Sequence, residues 1–216
     1  EVFLRQMIES LLDQTYPNWE LCIANGSPGD TAMAAVLKEY SSRDRRICVR
    51  NLDENLGIAG NTNAALTMAG GEFVGLLDHD DLLAPNALYE IVKKLNEDRQ
   101  LDVVYTDEDK VTTDLSEHFQ PHLKPDFNLD LLRSNNYICH FFVARKSIVD
   151  KVGGFRQEFD GAQDHDFIFR CVEEASGRVG HVPEILYHWR THKASTADNP
   201  ASKMYAFEAG RRAIEA

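Results

Sequence analysis

Three carboxylates fall within four positions at Asp78-His79-Asp80-Asp81, directly after the apolar run Phe73-Val74-Gly75-Leu76-Leu77. Crowded carboxylates repel one another. Such a cluster is stable chiefly when a hard cation offsets the repulsion, and Mg²⁺ or Mn²⁺ takes oxygen ligands of this kind while bridging phosphate oxygens. The competing reading is a solvated loop whose last Asp caps the next helix. A second polar cluster, His188, Trp189, Arg190 and His192, follows the Pro183 turn and holds groups suited to a diphosphate, a metal or the flat face of a ligand. Trp189 could equally belong to the core. Asp107, Glu108 and Asp109 form a third acidic set, read either as partners for ligand hydroxyls or as an exposed loop paired with Lys110.

The elements that must position these clusters show as alternating periodicities. Val2, Phe3, Met7, Ile8, Leu11 and Leu12 recur at helical spacing, and Tyr16-Pro17-Asn18 stops that helix before an apolar run from Trp19 to Ala24. Helices are then expected near Thr31–Ser42, Ile58–Ala69 and Pro85–Glu97, the last with Pro85 in its first turn. Strands are expected at Ile47–Arg50, Phe73–Leu77 and Asp102–Tyr105. After Thr106 the rhythm loosens to a polar stretch reaching Asn136. A strand-like Tyr137–Ala144, a helix around Asp164–Ala175 and a strand near Arg178–Val182 follow. Strands alternating with helices predict an α/β domain with a mostly parallel central sheet and helices on both faces. Ligands of such sheets bind beyond the carboxyl ends of the strands, where Asp78 and Asp107 fall.

The ordered set of motifs is more specific than any single acidic triplet. Ser10-Leu11-Leu12-Asp13-Gln14-Thr15-Tyr16-Pro17-Asn18-Trp19-Glu20-Leu21, then Asn55-Leu56-Gly57, then Leu77-Asp78-His79-Asp80-Asp81, resembles the family 2 inverting glycosyltransferases. Tyr105-Thr106-Asp107-Glu108-Asp109-Lys110, Gly161-Ala162-Gln163-Asp164-His165-Asp166 and Leu186-Tyr187-His188-Trp189-Arg190 resemble the branch found in bacterial surface-polysaccharide synthesis. The likeness runs from about residue 9 to residue 196.

The resemblance implies a GT-A fold, Rossmann-like, and transfer of a sugar from a nucleotide-sugar donor to a saccharide or lipid-linked saccharide acceptor with Mn²⁺ or Mg²⁺ as cofactor. It places Asp80 on the metal and Asp78 and Asn55 on the donor, with UDP-sugar as the commonest donor class. An inverting transfer needs a carboxylate to accept the proton of the attacking hydroxyl. Asp164 matches the position of the family's base; read without the likeness, it could as well cap the helix it precedes. Asp166 is the second choice, its register suiting packing better. Relatives often supply a late histidine to the metal, which here is His188 or His192. Asp107, Glu108 and Trp189 are assigned to the acceptor side. Asn25 stands where relatives carry an Asp that accepts from the donor base, and Gly60 where many carry a basic residue near the diphosphate. Arg190, Lys124 or the metal must then supply the positive charge. Relatives begin with an apolar strand ending in Pro and Tyr-Asn, whereas Glu1 already opens a helical pattern, so the first strand of the sheet is expected to be missing.

A net charge of −12 disfavours a surface that tracks nucleic acid or anionic lipid. Runs such as Phe73–Leu77 and Phe141–Ala144 are far shorter than a membrane span, and no leader-like segment precedes them. Cys22, Cys48, Cys139 and Cys171 are scattered, without metal-ligand spacing, and read as buried free thiols. The expectation is one cytoplasmic catalytic domain over 1–216, with a nucleotide-sugar half at 1–106 and an acceptor half at 107–216. Any contact with the inner face of a membrane is left to other parts of a longer protein. The alternative is a catalytically silent nucleotide- or saccharide-binding module. A nucleotidyltransferase or phosphatase would want a Gly-rich phosphate loop after the first strand, and none is present.

Overall fold

Alternation along a strand sends neighbouring side chains to opposite faces. In the computed structural model, which describes residues 1–191 and 204–215, this builds a separate core on each side of the sheet. The elements run α1 (Val2–Leu12), β1 (Leu21–Asn25), α2 (Thr31–Arg43), β2 (Ile47–Asn51), α3 (Gly57–Leu66), β3 (Phe73–Gly75), β4 (Leu82–Leu83), α4 (Ala87–Glu97), β5 (Val103–Val111), β6 (His118–His122), α5 (Leu129–Ser134), β7 (Phe142–Arg145), α6 (Lys146–Val152), α7 (Gln163–Glu174), β8 (Val179–Arg190) and α8 (Met204–Glu215). In β5, Val104 enters the core beneath α1 and α4, with Ile8, Leu11, Ile91 and Leu186. Its neighbours Val103 and Tyr105 enter the opposite core, with Ile148, Phe167, Ile168 and Cys171 of α6 and α7. Helices thus cover both faces, as expected.

The strand directions depart from the expected pattern. β5 pairs parallel with β8 and β1 parallel with β2, but β3–β7, β5–β7, β5–β6 and β4–β8 are antiparallel, so the sheet is mixed. It is also divided. β1 and β2 form a two-stranded sheet of their own, while β3-β7-β5-β8-β4, with β6 beside β5, form the other. The break lies between β1 and β3, which face each other across it.

Helices and side chains bridge the break. α1 buries Leu4, Met7, Ile8 and Leu11, which recur at helical spacing. Gln14, just past its end, donates to the carbonyls of Ser10 and Ala84 and accepts from Leu88 N–H, fixing the start of α4. That start is Ala87, with Asn86 at the cap, so Pro85 lies just outside the helix. Asn63 of α3 clamps the backbone of Phe155, donating to its carbonyl and accepting from its N–H, both at 2.8 Å. Asp160 accepts from Ala59 N–H at 3.1 Å.

β5 was expected to end at Tyr105 but continues to Val111, carrying Asp107, Glu108, Asp109 and Lys110 inside the sheet. Of the four free cysteines, Cys171 is buried and the others are half-buried. No described helix is long and apolar enough to cross a membrane.

Candidate functional site

A cleft of about 1990 Å³ opens at the break between β1 and β3. Its walls include backbone and side chains of Leu21–Ala24 and Phe73–Leu77, and at its polar end Asp78, Asp80, His140, Asp164 and Trp189. Residues 86 positions apart, Asp78 and Asp164, thus meet one space.

The acidic loop leaves β3 with Asp78 exposed, Asp80 half-buried and Asp81 only 1% exposed. Tyr187 donates its hydroxyl to Asp81 Oδ2 at 2.6 Å and accepts from Asp78 N–H at 3.3 Å. Arg190 N–H donates to Asp81 Oδ1 at 2.8 Å. Asp81 is therefore the buried foot of the loop, not a helix cap. Burial, and next the charge of Asp78, push its pKa up to about 7 against these hydrogen bonds. Asp78 thus adds like charge beside Asp81, a repulsion that a divalent cation would relieve. Ligand atoms of Asp78, Asp81 and His140 lie within 4.8 Å of one another, a set that omits Asp80, whose carboxylate is 3.8 Å from the His79 ring. His140 had no motif to announce it. Burial opposes its positive charge, but Cys139 and Glu108 outweigh burial and raise its pKa well above the ordinary value.

Arg190 is placed differently from the expectation of a cation facing the diphosphate. It is fully buried, with Nε donating to the Asp80 carbonyl at 2.6 Å, Nη1 to the Thr113 carbonyl at 2.9 Å, and the guanidinium 4.6 Å from the Phe3 ring centre. It shapes the acidic loop from beneath. His188 is likewise not beside Asp80: its Nδ1 is 2.6 Å from Asp109 Oδ1. Alternation along β8 explains this, since Tyr187 and His188 must face opposite sides. His192 lies outside the described residues. Trp189 answers both readings, packing against the first core while lining the cleft.

Asp107 and Glu108 are neither an exposed loop nor open to a ligand. Asp107 accepts from Lys124 N–H at 2.9 Å and bonds His181 Nε2 at 2.8 Å. Glu108 takes the buried Lys124 ammonium at 3.2 Å, His140 N–H and Nδ1, and His122 at 3.5 Å. Burial would raise its pKa, but His122, His140 and Lys124 hold it well below the usual carboxylate range. Lys124, the alternative cation for the diphosphate, is thus committed to Glu108 and to the carbonyls of Ile138 and His140. These acids brace the sheet. Lys110 bonds Gln120 and lies 5.3 Å from the Trp189 ring centre, not paired with the acids beside it.

Asp164 stands in the first turn of α7, past the cap position, which Ala162 occupies without a side-chain bond. Gln163 Oε1 meets Gly161 N–H at 2.8 Å instead. Asp164 is half-buried and reaches the cleft. Asp166, 1% exposed, is bound by Arg156 and by Arg170 at 2.6 Å, which makes it a packing residue as its register suggested.

On the β1 side, Asn25 spends its amide on Asn51 Oδ1 at 3.0 Å, and its oxygen accepts from Ser27 N–H at 3.1 Å. It is 6% exposed and closes the turn after β1. Asn55 accepts from Gly57 N–H and Asn61 Nδ2, ordering the start of α3. A Cβ at Gly60 would sit 2.6 Å from Leu56 Cβ, which accounts for the lack of a basic side chain there.

A family model described as "Glycosyl transferase family 2" matches residues 1–153. The chain is 41% identical over 213 residues to the uncharacterized protein y4gI of Sinorhizobium fredii, covering 98% of this chain and 23% of that protein. It is 37% identical over 214 residues to the O-antigen biosynthesis protein RfbC of Myxococcus xanthus, covering 99% and 17%. It therefore spans less than a quarter of the length of these curated relatives. Among solved structures, S. aureus TarS 1-349 in complex with UDP-GlcNAc superposes with a TM-score of 0.75 at 20% identity, over 99% of this chain and 62% of that one. The mannosyltransferase PcManGT from Pyrobaculum calidifontis, in complex with GDP-Man and Mn²⁺, gives 0.73 at 19% identity, over 100% and 61%. These likenesses establish the fold as GT-A.

Proposed function

Because this chain belongs to glycosyl transferase family 2, we propose that it is the catalytic domain of an inverting, metal-dependent transferase that moves a sugar from a nucleotide diphosphate, UDP-sugar first among candidates, to a saccharide acceptor in cell-surface polysaccharide synthesis. The O-antigen name of its Myxococcus relative supports the polysaccharide reading, and the UDP-GlcNAc and GDP-Man complexes of its neighbours support a nucleotide-sugar donor. The observation that carries the reading is the meeting of Asp78, Asp80 and Asp164 on one cleft.

In this reading residues 1–106 hold the donor and residues 107–216 supply the acceptor side. Asp80 would hold Mn²⁺ or Mg²⁺, which when bound would neutralise charge on the departing diphosphate, with Asp78 beside it on the donor. Asp164 accepts the proton of the acceptor hydroxyl as its oxygen bonds to the anomeric carbon from the face opposite the diphosphate. The bond from that carbon to the phosphate oxygen breaks, its electron pair leaves with the nucleoside diphosphate, and configuration inverts. Trp189 offers a flat face to the acceptor ring. Asn55 serves the donor by ordering the start of α3, and Asn25 by fixing the turn after β1. Arg190 serves it by holding the acidic loop.

Calorimetry with UDP and Mn²⁺, against UDP alone and against Asp80→Ala, tests this. Metal-dependent binding that the substitution abolishes is expected. Absence of binding to the folded chain would overturn the UDP assignment.

A further inference from the structure

Asp109, His118 and His188 come together from three strands. Asp109 lies on β5, His118 on β6 and His188 on β8, with His188 directly across from Asp109 in the parallel register. Both imidazoles aim Nδ1 at the same carboxylate: His118 at 2.9 Å from Oδ2 and His188 at 2.6 Å from Oδ1. The rings stand edge to face, 4.6 Å between centres. The three ligand atoms lie within 4.8 Å of one another.

The geometry points to a binding site for one Zn²⁺ ion on Asp109 Oδ, His118 Nδ1 and His188 Nδ1, separate from the acidic loop and independent of the transferase reading. Two imidazole nitrogens and one carboxylate oxygen are the ligand set of a borderline metal. Mg²⁺ and Ca²⁺ prefer all-oxygen shells. In a tetrahedral zinc site with bonds of about 2.0–2.2 Å, neighbouring ligand atoms are about 3.3 Å apart. His188 Nδ1 is 2.6 Å from Oδ1 and His118 Nδ1 2.9 Å from Oδ2, the two oxygens of the one carboxylate. Opening these distances by about half an ångström needs only small side-chain rotations, since the strands already fix all three Cα positions.

Exposure is graded across the set. The side chains are 10% exposed at Asp109, 17% at His188 and 49% at His118. The site is therefore walled on the sheet side and open toward solvent, which suits three protein ligands with a fourth position for water or a ligand oxygen. Binding through Nδ1 requires each imidazole to carry its proton on Nε2. The ion would tie β6 to β8 across the end of β5, where the ladder between β5 and β6 is irregular between Glu108 and Lys110.

The test uses the untagged full chain, stripped with EDTA and dialysed. Zn²⁺ is titrated calorimetrically, and Co²⁺ serves as the spectroscopic probe, for wild type, His118→Ala and Asp80→Ala. His118→Ala removes a half-exposed side chain and is checked for an unchanged thermal midpoint in EDTA; His118→Gln stands in if it is not. Expected is a Zn²⁺ site retained in Asp80→Ala, with tetrahedral Co²⁺ absorption, whose affinity is weakened by roughly 100-fold in the His118 variant. Zinc binding unaffected at His118, lost in Asp80→Ala, or undetectable in wild type would each overturn the assignment.

Discussion

Arg190 at the end of β8 donates its Nε–H to the carbonyl of Asp80 at 2.6 Å, while its own N–H holds the Asp81 carboxylate at 2.8 Å. The final strand and the acidic loop are thereby one piece, joined across 110 residues of chain. Arg190→Lys keeps the charge but cannot span the carbonyls of both Asp80 and Thr113. A loss of roughly 1–3 kcal/mol in stability is expected, read from urea unfolding. It should be accompanied by weaker Mn²⁺-dependent UDP binding. A stable variant with unchanged metal dependence would show that the loop holds its shape unaided.

Asp81 makes the loop sensitive to pH. Its folded pKa of about 7 lies above the 3.8 of an unperturbed Asp. The stability it contributes is fully present below the unfolded value and is lost as pH rises through about 7. Without divalent metal, stability should fall with pH across that window by up to about 1.4 kcal/mol per unit. Asp81→Asn keeps a hydrogen-bonding group of the same shape and should flatten the slope.

Asp164→Asn tests the base. The amide occupies the same volume in the first turn of α7 but cannot take a proton, so kcat should fall by roughly 10²–10⁴-fold. Affinity for the nucleotide should stay within about twofold. The release of UDP from a turned-over donor measures the first, and calorimetry the second. An unchanged kcat would move the base elsewhere in the cleft.

Asp166, two residues on, should behave in the opposite way. It is buried between Arg156 and Arg170, so Asp166→Ala leaves guanidinium groups without their counter-charge and should cost about 3–5 kcal/mol. Burial works against its charged form, but Arg156 and Arg170 prevail and lower its pKa. Its contribution is present above the unfolded pKa and is lost as pH falls through the folded one. Thermal unfolding of wild type and variant should therefore converge in strong acid.

These contrasts show what could be read from the sequence. α1 followed from local periodicity, and the acidic loop from its place after an apolar run. The charged stretch Asp107–Lys110 did not, because charge in sequence mimics a loop. Its partners His181, Lys124, His140, His118 and His188 lie 9 to 79 residues away and make strand pairing affordable only after folding. Arg190 was misplaced for a related reason. A guanidinium near carboxylates suggests a ligand site, and only the packing of Phe3 over it reveals burial. His140 carries no motif at all, and Tyr187, though inside Leu186–Arg190, has no role assigned from sequence, although period-two alternation in β8 marks it as inward.

The divided sheet bears on how the molecule comes apart. Among the described residues β1 and β2 exchange ladder bonds only with each other, and the fastenings across the break include helices and side-chain clamps such as Asn63 to Phe155. Heat or denaturant then meets two cooperative units of unequal strength, the two-stranded one yielding first. A ligand seated across the cleft adds its binding free energy to the weaker unit alone. At saturation the two unfolding steps draw together, so the width of the melting transition, more than its midpoint, reports occupancy.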